Sequence, residues 1–174
     1  MMSITDHDSI ECQEIAMDLA GKAGIRYISG VELNVTFMHP KFHDGKSISL
    51  DFLGYQFDAK NKELGAKLQH MANYREKRAA KILNNLNAEF EREGIKKLTS
   101  KDFDEIQASV DGVFGRPHIA DYLVRKGSVR NRQEAFDKYL VKCDVPKYPL
   151  YIEEASRLVR NAGGKLVFAH PNDP

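Results

Sequence analysis

The stretch Ile4-Thr5-Asp6-His7-Asp8-Ser9 lies where a short apolar run at the N-terminus changes to a helical pattern. A strand that ends in Asp-His-Asp before a helix presents two carboxylates and an imidazole at the rim of a parallel sheet, where functional residues of α/β proteins collect. We therefore take Asp6 and His7 as candidate catalytic residues. The alternative is that Asp8 only caps the helix and that His7 is a surface residue.

The composition is that of an ordinary globular chain. Among 174 residues, 42% are hydrophobic and 29% are charged, and the formal net charge is +1, which gives no global basic field for nucleic acid. No apolar run has the length of a membrane span, and the N-terminus shows no signal-peptide pattern. Cys12 and Cys143 fit no zinc or redox spacing. We expect a cytoplasmic chain with no membrane partner and no extended duplex nucleic acid as partner.

The periodicity predicts an α/β fold. The pattern predicts a helix over residues 9–23, with Ile15 and Leu19 on its apolar face, and β-branched and aromatic residues predict a strand over 25–31. Strands are also predicted over 47–57 and 166–169. A strand, a helix and a strand joined by short links predict a parallel, right-handed unit.

The middle of the chain is predicted to be helical. A long helix from about residue 64 to residue 93 carries apolar side chains at helical spacing, and several short helices follow it before Pro146 and Pro149. We therefore predict one α/β domain formed by residues 1–93 and 148–174, with residues 94–147 as a helical insertion.

Four polar residues lie at or near the predicted strand ends: His7, Glu32, Asp51 and His170. Imidazole and carboxylate groups bind divalent first-row metals, and a carboxylate often bridges two ions in hydrolytic sites. These four residues are the candidate metal ligands. The alternative is a set of unrelated polar strand ends.

Four further residues could bind phosphate. Arg75 and Arg78 lie three residues apart on one face of the long helix, and Arg116 and His118 flank Pro117 at the start of a helix. Arginine forks and the free amides of a helix N-terminus both favour anions. The alternative for Arg75 and Arg78 is an exposed basic turn.

Five segments in order resemble motifs of the PHP (polymerase and histidinol phosphatase) family. They are TDHDS at 5–9, GVEL at 30–33, LDFLGY at 50–55, GRPHIA at 115–120 and FAHP at 168–171. The match spans nearly the whole chain and is strongest to the branch that hydrolyses nucleotide phosphates and short oligonucleotides. The resemblance implies a distorted (β/α)7 barrel with up to three divalent metal ions (Mn, Zn, Fe or Mg) and a helical insertion.

Carried over by position, the resemblance implies that His7 binds one ion, that Glu32 bridges two ions and that His170 binds the middle ion. The family usually has a histidine where this sequence has Asp51, and a harder carboxylate ligand favours Mn or Mg over Zn. The resemblance also places Arg116 and His118 next to a small phosphorylated substrate, such as a nucleotide or the end of a short oligonucleotide.

Two motifs of the family are absent from this sequence: Asp-x-His-x-His before Thr5 and Asp-x-His after Pro171. We therefore expect an incomplete distorted (β/α)7 PHP barrel with an inserted small helical subdomain, in a chain that is a fragment and holds fewer metal ions than the three of the family. The leading hypothesis is a metal-dependent phosphoesterase. The alternatives are a non-catalytic or incomplete PHP domain and a histidinol-phosphatase-like enzyme.

Overall fold

The structure of the chain is a computed structural model that describes residues 1–110 and 114–171. A turn expected from the sequence at Asp111-Gly112 lies outside these residues. The chain divides into two compact units, which are Met1–Ala72 with Tyr148–Pro174 and Asn73–Lys147. We call them the sheet unit and the helical unit.

The sheet unit contains, among the described residues, one three-stranded sheet in the order β1-β2-β3. Its strands are β1 (Gly30–Phe37), β2 (Ile48–Tyr55) and β3 (Lys165–Phe168). Both pairings are antiparallel. Strands are therefore present in the three predicted regions, although β1 shares only Gly30 and Val31 with the predicted strand over 25–31. Because β1 and β2 form a hairpin, this sheet is not the parallel sheet at whose rim the Asp-His-Asp stretch was expected.

Parallel pairing is present at the N-terminus. Met2 pairs in parallel with Tyr27, and His7 pairs in parallel with Glu32. The segment before the first helix therefore runs alongside β1, as the predicted strand-helix-strand unit requires. The strand that follows begins later than predicted, at Gly30, and it continues to Phe37.

Helix α1 (Gln13–Lys22) is shorter than predicted and is rotated relative to the predicted apolar face. Its inner face carries Gln13, which is fully buried, whereas Ile15 and Leu19 are 66% and 59% exposed. The side chain of Gln13 donates to the carbonyl of Ile4 and accepts from Tyr27 and from the backbone N–H of Gly30. These hydrogen bonds, together with the buried Ala20, orient the helix.

The core of the sheet unit lies on one face of β1. Alternate residues Val31, Leu33 and Val35 are almost fully buried. They belong to one cluster with side chains of α6 (Ile152–Asn161) and of the first turns of α2 (Lys62–Arg92). Because side chains alternate along a strand, the other face of β1 carries Glu32 and Asn34.

The helical unit is built from the later turns of α2 and from α3 (Ser100–Ala108), α4 (Arg116–Arg125), α5 (Arg132–Ala135) and a π-helical segment, Phe136–Leu140. As the helical spacing predicted, the inner stripe of α2 is buried in this unit; it consists of Ile82, Leu83, Leu86 and Phe90.

The division between the units falls at Ala72 rather than at the end of the long helix. The inner stripe of α2 beyond that point packs with the short helices, which explains the difference from residue 93. The domain assignment of 1–93 with 148–174, and of 94–147 as an insertion, stays a prediction. In the part of the chain that the structure describes, no helix is long and apolar enough to span a membrane.

Candidate functional site

Glu32 occupies the third position of β1, on the face of the sheet opposite the buried Val31 and Leu33. Its side chain is only 13% exposed. The sequence placed Glu32 at a strand end, and this was wrong, because β1 begins and ends later than predicted. Its position inside the strand holds the carboxylate on a rigid element.

The N-terminal segment brings His7 to this carboxylate. The backbone N–H of Asp8 donates to the carbonyl of Glu32 at 2.7 Å, and the N–H of Glu32 donates to the carbonyl of Asp6 at 3.0 Å. This parallel pairing places Nε2 of His7 3.5 Å from Oε2 of Glu32.

His170 contacts the same carboxylate and follows β3, whereas His7 lies in the N-terminal segment. The N–H of Ala169 donates to the carbonyl of Asp51 at 2.9 Å, which extends the β2–β3 pairing to the residue before His170. Nε2 of His170 lies 3.3 Å from Oε1 of Glu32. The two oxygens of Glu32 therefore each contact a different imidazole.

The backbone is unusual at both points where the chain turns next to this carboxylate. Asp8 and His170 both have a backbone φ angle of 48°, in the left-handed region that residues other than glycine rarely adopt. Strained residues of this kind persist where the surrounding structure fixes them, and they concentrate at functional sites. One of these residues directly follows His7, and the other is His170 itself.

Asp51 lies in the middle of β2, so its predicted position at a strand end was also wrong. It pairs with Asn34 across the two strands, and paired residues of an antiparallel sheet project from the same face. Asp51 therefore shares a face with Glu32. Its Oδ1 accepts a hydrogen bond of 2.6 Å from the side-chain amide of Asn34.

Asn34 connects the candidate ligands and was missed by the sequence reasoning. Its side chain also accepts from the hydroxyl of Ser49 at 2.9 Å, and its backbone N–H donates to Oδ1 of Asp8 at 3.0 Å. Asp8 is thus a buried acceptor for β1 and does not cap α1. A polar residue at alternate spacing from Glu32 was the only signal of this role in the sequence.

Asp6 has a different environment from His7. Burial raises the pKa of the Cys12 thiol, and a hydrogen bond and charge repulsion from the Asp6 carboxylate raise it further. Asp6 therefore faces Cys12 at the start of α1, whereas His7 contacts Glu32. Its catalytic role stays a prediction.

The arrangement fits metal ligands in donor type. Imidazole nitrogen and carboxylate oxygen are ligands of Mn, Fe and Zn. Within residues 1–110 and 114–171, however, no three His, Cys, Asp or Glu side chains form a group that could hold an ion. The structure shows two imidazole–carboxylate contacts that share Glu32.

The predicted phosphate-binding residues all lie in the helical unit. Arg78 is buried, which argues against an exposed basic turn, and Arg75 is half-buried three residues earlier on α2. The carboxylate of Asp144 contacts both Arg78 and Arg116. The structure thus brings two of the predicted residues together on an acidic residue that the sequence reasoning missed.

His118 is used locally at the start of α4. Its Nδ1 lies 3.1 Å from the backbone nitrogen of Gly115, the N-cap residue, and the Phe114 ring lies 6.0 Å from the imidazole. A role in binding phosphate stays a prediction for all four residues, Arg75, Arg78, Arg116 and His118.

Several characterised proteins are similar to this chain. A 5'-3' exoribonuclease of Haemophilus influenzae is 33% identical in an alignment 178 positions long, which covers 98% of this chain and 58% of that protein. A 3',5'-nucleoside bisphosphate phosphatase of Chromobacterium violaceum is 28% identical, with 98% and 56% covered. The 5'-3' exoribonuclease Rnm of Escherichia coli is also 28% identical, with 98% and 55% covered.

Two solved structures are similar in fold. A proposed metal-dependent phosphoesterase from Bifidobacterium adolescentis superposes with a TM-score of 0.76 at 26% identity, covering 99% of this chain and 57% of that one. An amidohydrolase from Chromobacterium violaceum, solved with sulfate and without metal, gives 0.71 at 28% identity, covering 97% and 56%.

No family model matches the chain. The chain spans little more than half the length of the relatives it matches. Its similarities are nevertheless consistent with one another. The chain is similar in sequence to enzymes named as exoribonucleases and as a nucleoside bisphosphate phosphatase, and similar in its mixed α/β fold to a structure named as a metal-dependent phosphoesterase.

Proposed function

We propose that this chain provides part of a metal-dependent phosphoesterase of the PHP type. Its substrates would be nucleotides or the ends of short oligonucleotides. The observation that carries the proposal is the Glu32 carboxylate, which has one oxygen next to His7 and the other next to His170. The names of the similar proteins support the class of reaction.

Glu32, His7 and His170 would hold the divalent ions, and Asp51 would add a carboxylate on the same face of the sheet. When bound, divalent ions in hydrolytic sites make water a nucleophile near neutral pH and neutralise charge at the phosphoryl group. Asp51 is a hard ligand, which favours Mn or Mg over Zn.

The chain's own residues would position these groups. Asn34 fixes the carboxylate of Asp51 through its side-chain amide and fixes Asp8 through its backbone N–H. Such second partners orient metal ligands. Arg78 and Arg116 would bind phosphate oxygens, for which guanidinium forks are well suited.

The finer fold assignment belongs to the same proposal. The proposal includes an incomplete distorted (β/α)7 barrel with a helical insertion, a cytoplasmic location and a small phosphorylated substrate. The two similar structures support its mixed α/β class. The similar proteins are named for activity on nucleotides and RNA, so no observation favours a histidinol-phosphatase-like enzyme.

The test is hydrolysis of a nucleoside 3',5'-bisphosphate and of a short 5'-phosphorylated RNA, with Mn²⁺ and after chelation. Glu32→Gln is expected to lower activity by more than about 100-fold, because it removes the shared carboxylate charge. Glu14→Gln is the matched control, since Glu14 is an exposed glutamate of the same unit that pairs with Lys60. Activity that is absent in the unsubstituted chain at any metal concentration would support the non-catalytic alternative.

A further inference from the structure

The carboxylate of Asp144 lies between two guanidinium groups in the helical unit. Its Oδ1 contacts Arg78, and its Oδ2 lies 2.7 Å from the guanidinium of Arg116. The side chains of Arg78, Arg116 and Asp144 are 10%, 28% and 33% exposed. The carboxylate is therefore the most accessible member of this cluster.

The two arginines and the acid are held by different kinds of structure. Arg78 lies within α2, and Arg116 is the first residue of α4. Asp144 instead begins a segment without regular secondary structure that continues to Leu150. Within that segment, Oδ1 of Asp144 accepts from the N–H of Val145 at 2.8 Å.

Neighbouring groups further orient the arginines. Nε of Arg78 donates to the carbonyl of Val145, and the guanidinium of Arg116 lies 5.5 Å from the centre of the Phe136 ring. Two guanidinium groups fixed on helices with a single monoanion between them leave a net charge of +1. A phosphate monoester near neutral pH carries more charge and offers three acceptor oxygens.

We propose that Asp144 is an internal anion that occupies the position which Arg78 and Arg116 offer to a substrate phosphate. This inference rests on the proposed phosphoesterase function, in which these arginines bind phosphate. The phosphate displaces the carboxylate when it binds, so Asp144 sets the affinity of the site. It also selects for ligands that carry more charge than a carboxylate.

A purely structural role predicts a different result. If Asp144 only ties the irregular segment to the helices, then removing its charge lowers stability and leaves phosphate affinity unchanged or weaker. If it occupies the anion position, then Asp144→Asn keeps the size of the side chain and leaves two guanidinium groups without a counter-charge, so an external anion binds more tightly.

The experiment measures the binding of inorganic phosphate by calorimetry to the unsubstituted chain and to Asp144→Asn. We expect phosphate to bind about 10-fold more tightly to Asp144→Asn, and to raise its melting temperature more. Asp121→Asn is the matched control, because Asp121 forms an ion pair with Arg132 in the same unit. Both of these side chains are more exposed than those of Asp144 and its two arginines. Equal or weaker phosphate binding by folded Asp144→Asn overturns the proposal.

A second variant keeps the proposal testable if Asp144→Asn does not fold. Arg116→Gln removes the more exposed guanidinium and is expected to weaken phosphate binding about 10-fold. Unchanged binding in that variant overturns the proposal as well. Phosphate binding is measured without turnover, so this test is separate from the test of hydrolysis. If the proposed hydrolytic function is wrong, the unsubstituted chain is inactive, but Asp144→Asn still binds phosphate more tightly than it does.

Discussion

Asn34 donates its side-chain amide to the carboxylate of Asp51 at 2.6 Å, across paired positions of two antiparallel strands. The contact matters because the backbone of Asn34 also supports Asp8, next to His7. One neutral residue therefore positions acidic groups on both sides of Glu32, without adding charge to the site.

Replacing Asn34 tests this positioning role. In Asn34→Ala, Asp51 loses its side-chain donor while its charge remains, and we expect the affinity for Mn²⁺ to fall about 10-fold or more, as is typical when the partner of a ligand is removed. Titration calorimetry measures the affinity. Ser49→Ala is the control, since Ser49 contacts Asn34 and not Asp51, and it should have the smaller effect. Equal affinities in Asn34→Ala and the unsubstituted chain would contradict the role.

Gly30 sets the distance between the N-terminal segment and β1. A Cβ atom at this position would lie 2.2 Å from Oγ of Ser3 and 2.7 Å from the carbonyl oxygen of Ile4. We expect Gly30→Ala to lower the free energy of unfolding by about 1–3 kcal/mol, because the backbone of the neighbouring segment has to move. The same movement displaces His7, so metal affinity should fall with stability.

The control for this change is Gly21→Ala. Gly21 lies in α1, and a Cβ there would meet nothing within 4 Å. Because alanine favours helix over glycine, this variant should be neutral or up to about 1 kcal/mol more stable. Chemical denaturation of both variants gives the comparison. A Gly30→Ala chain as stable as Gly21→Ala would refute the close approach.

Helices and strands could be predicted from the sequence where the local signals were strong. Helical spacing located the buried stripe of α2, and β-branched and aromatic runs located the three strands. The antiparallel pairing of β1 with β2 was not predicted, because it depends on the length and geometry of the loop after β1, which periodicity does not report. Glu32 and Asp51 were expected at or near strand ends, whereas both lie inside their strands and the register brings them onto one face.

Asp102 offers a test of stability in the helical unit. It accepts from the hydroxyl of Thr99 at 2.6 Å, and Tyr122 and Lys126 also contact it. The hydrogen bond from the Thr99 side chain, followed by that from Tyr122, holds the pKa of Asp102 well below its ordinary value. We expect Asp102→Asn to lower the free energy of unfolding by about 1–3 kcal/mol at neutral pH.

The pH dependence of this effect has a defined sign. Because the folded pKa of Asp102 is lowered, its contribution is complete above the ordinary value and is lost as the pH falls through the folded value. The difference between the unsubstituted chain and Asp102→Asn should therefore shrink below about pH 4. Asp104→Asn, on the exposed side of the same helix, is the control. A difference that grows in acid would contradict this assignment.

Other parts of the site were beyond the sequence because they depend on contacts between distant residues. Nothing local marks Asp144 as the partner of Arg78 and Arg116, which precede it by many residues and lie on different helices. The contact of Cys12 with Asp6 is likewise a result of how α1 begins. The resemblance in sequence indicated the residues around Glu32, and the tertiary structure supplied their partners.

The central claim is that Glu32 is the shared ligand of a divalent metal site. The most direct test is Mn²⁺ binding by calorimetry, combined with elemental analysis, on the unsubstituted chain, Glu32→Gln and the control Glu14→Gln. Glu32→Gln preserves the size of the side chain and removes its charge, so we expect binding to fall by more than about 100-fold while Glu14→Gln binds normally. Equal metal content and affinity in folded Glu32→Gln would contradict the account.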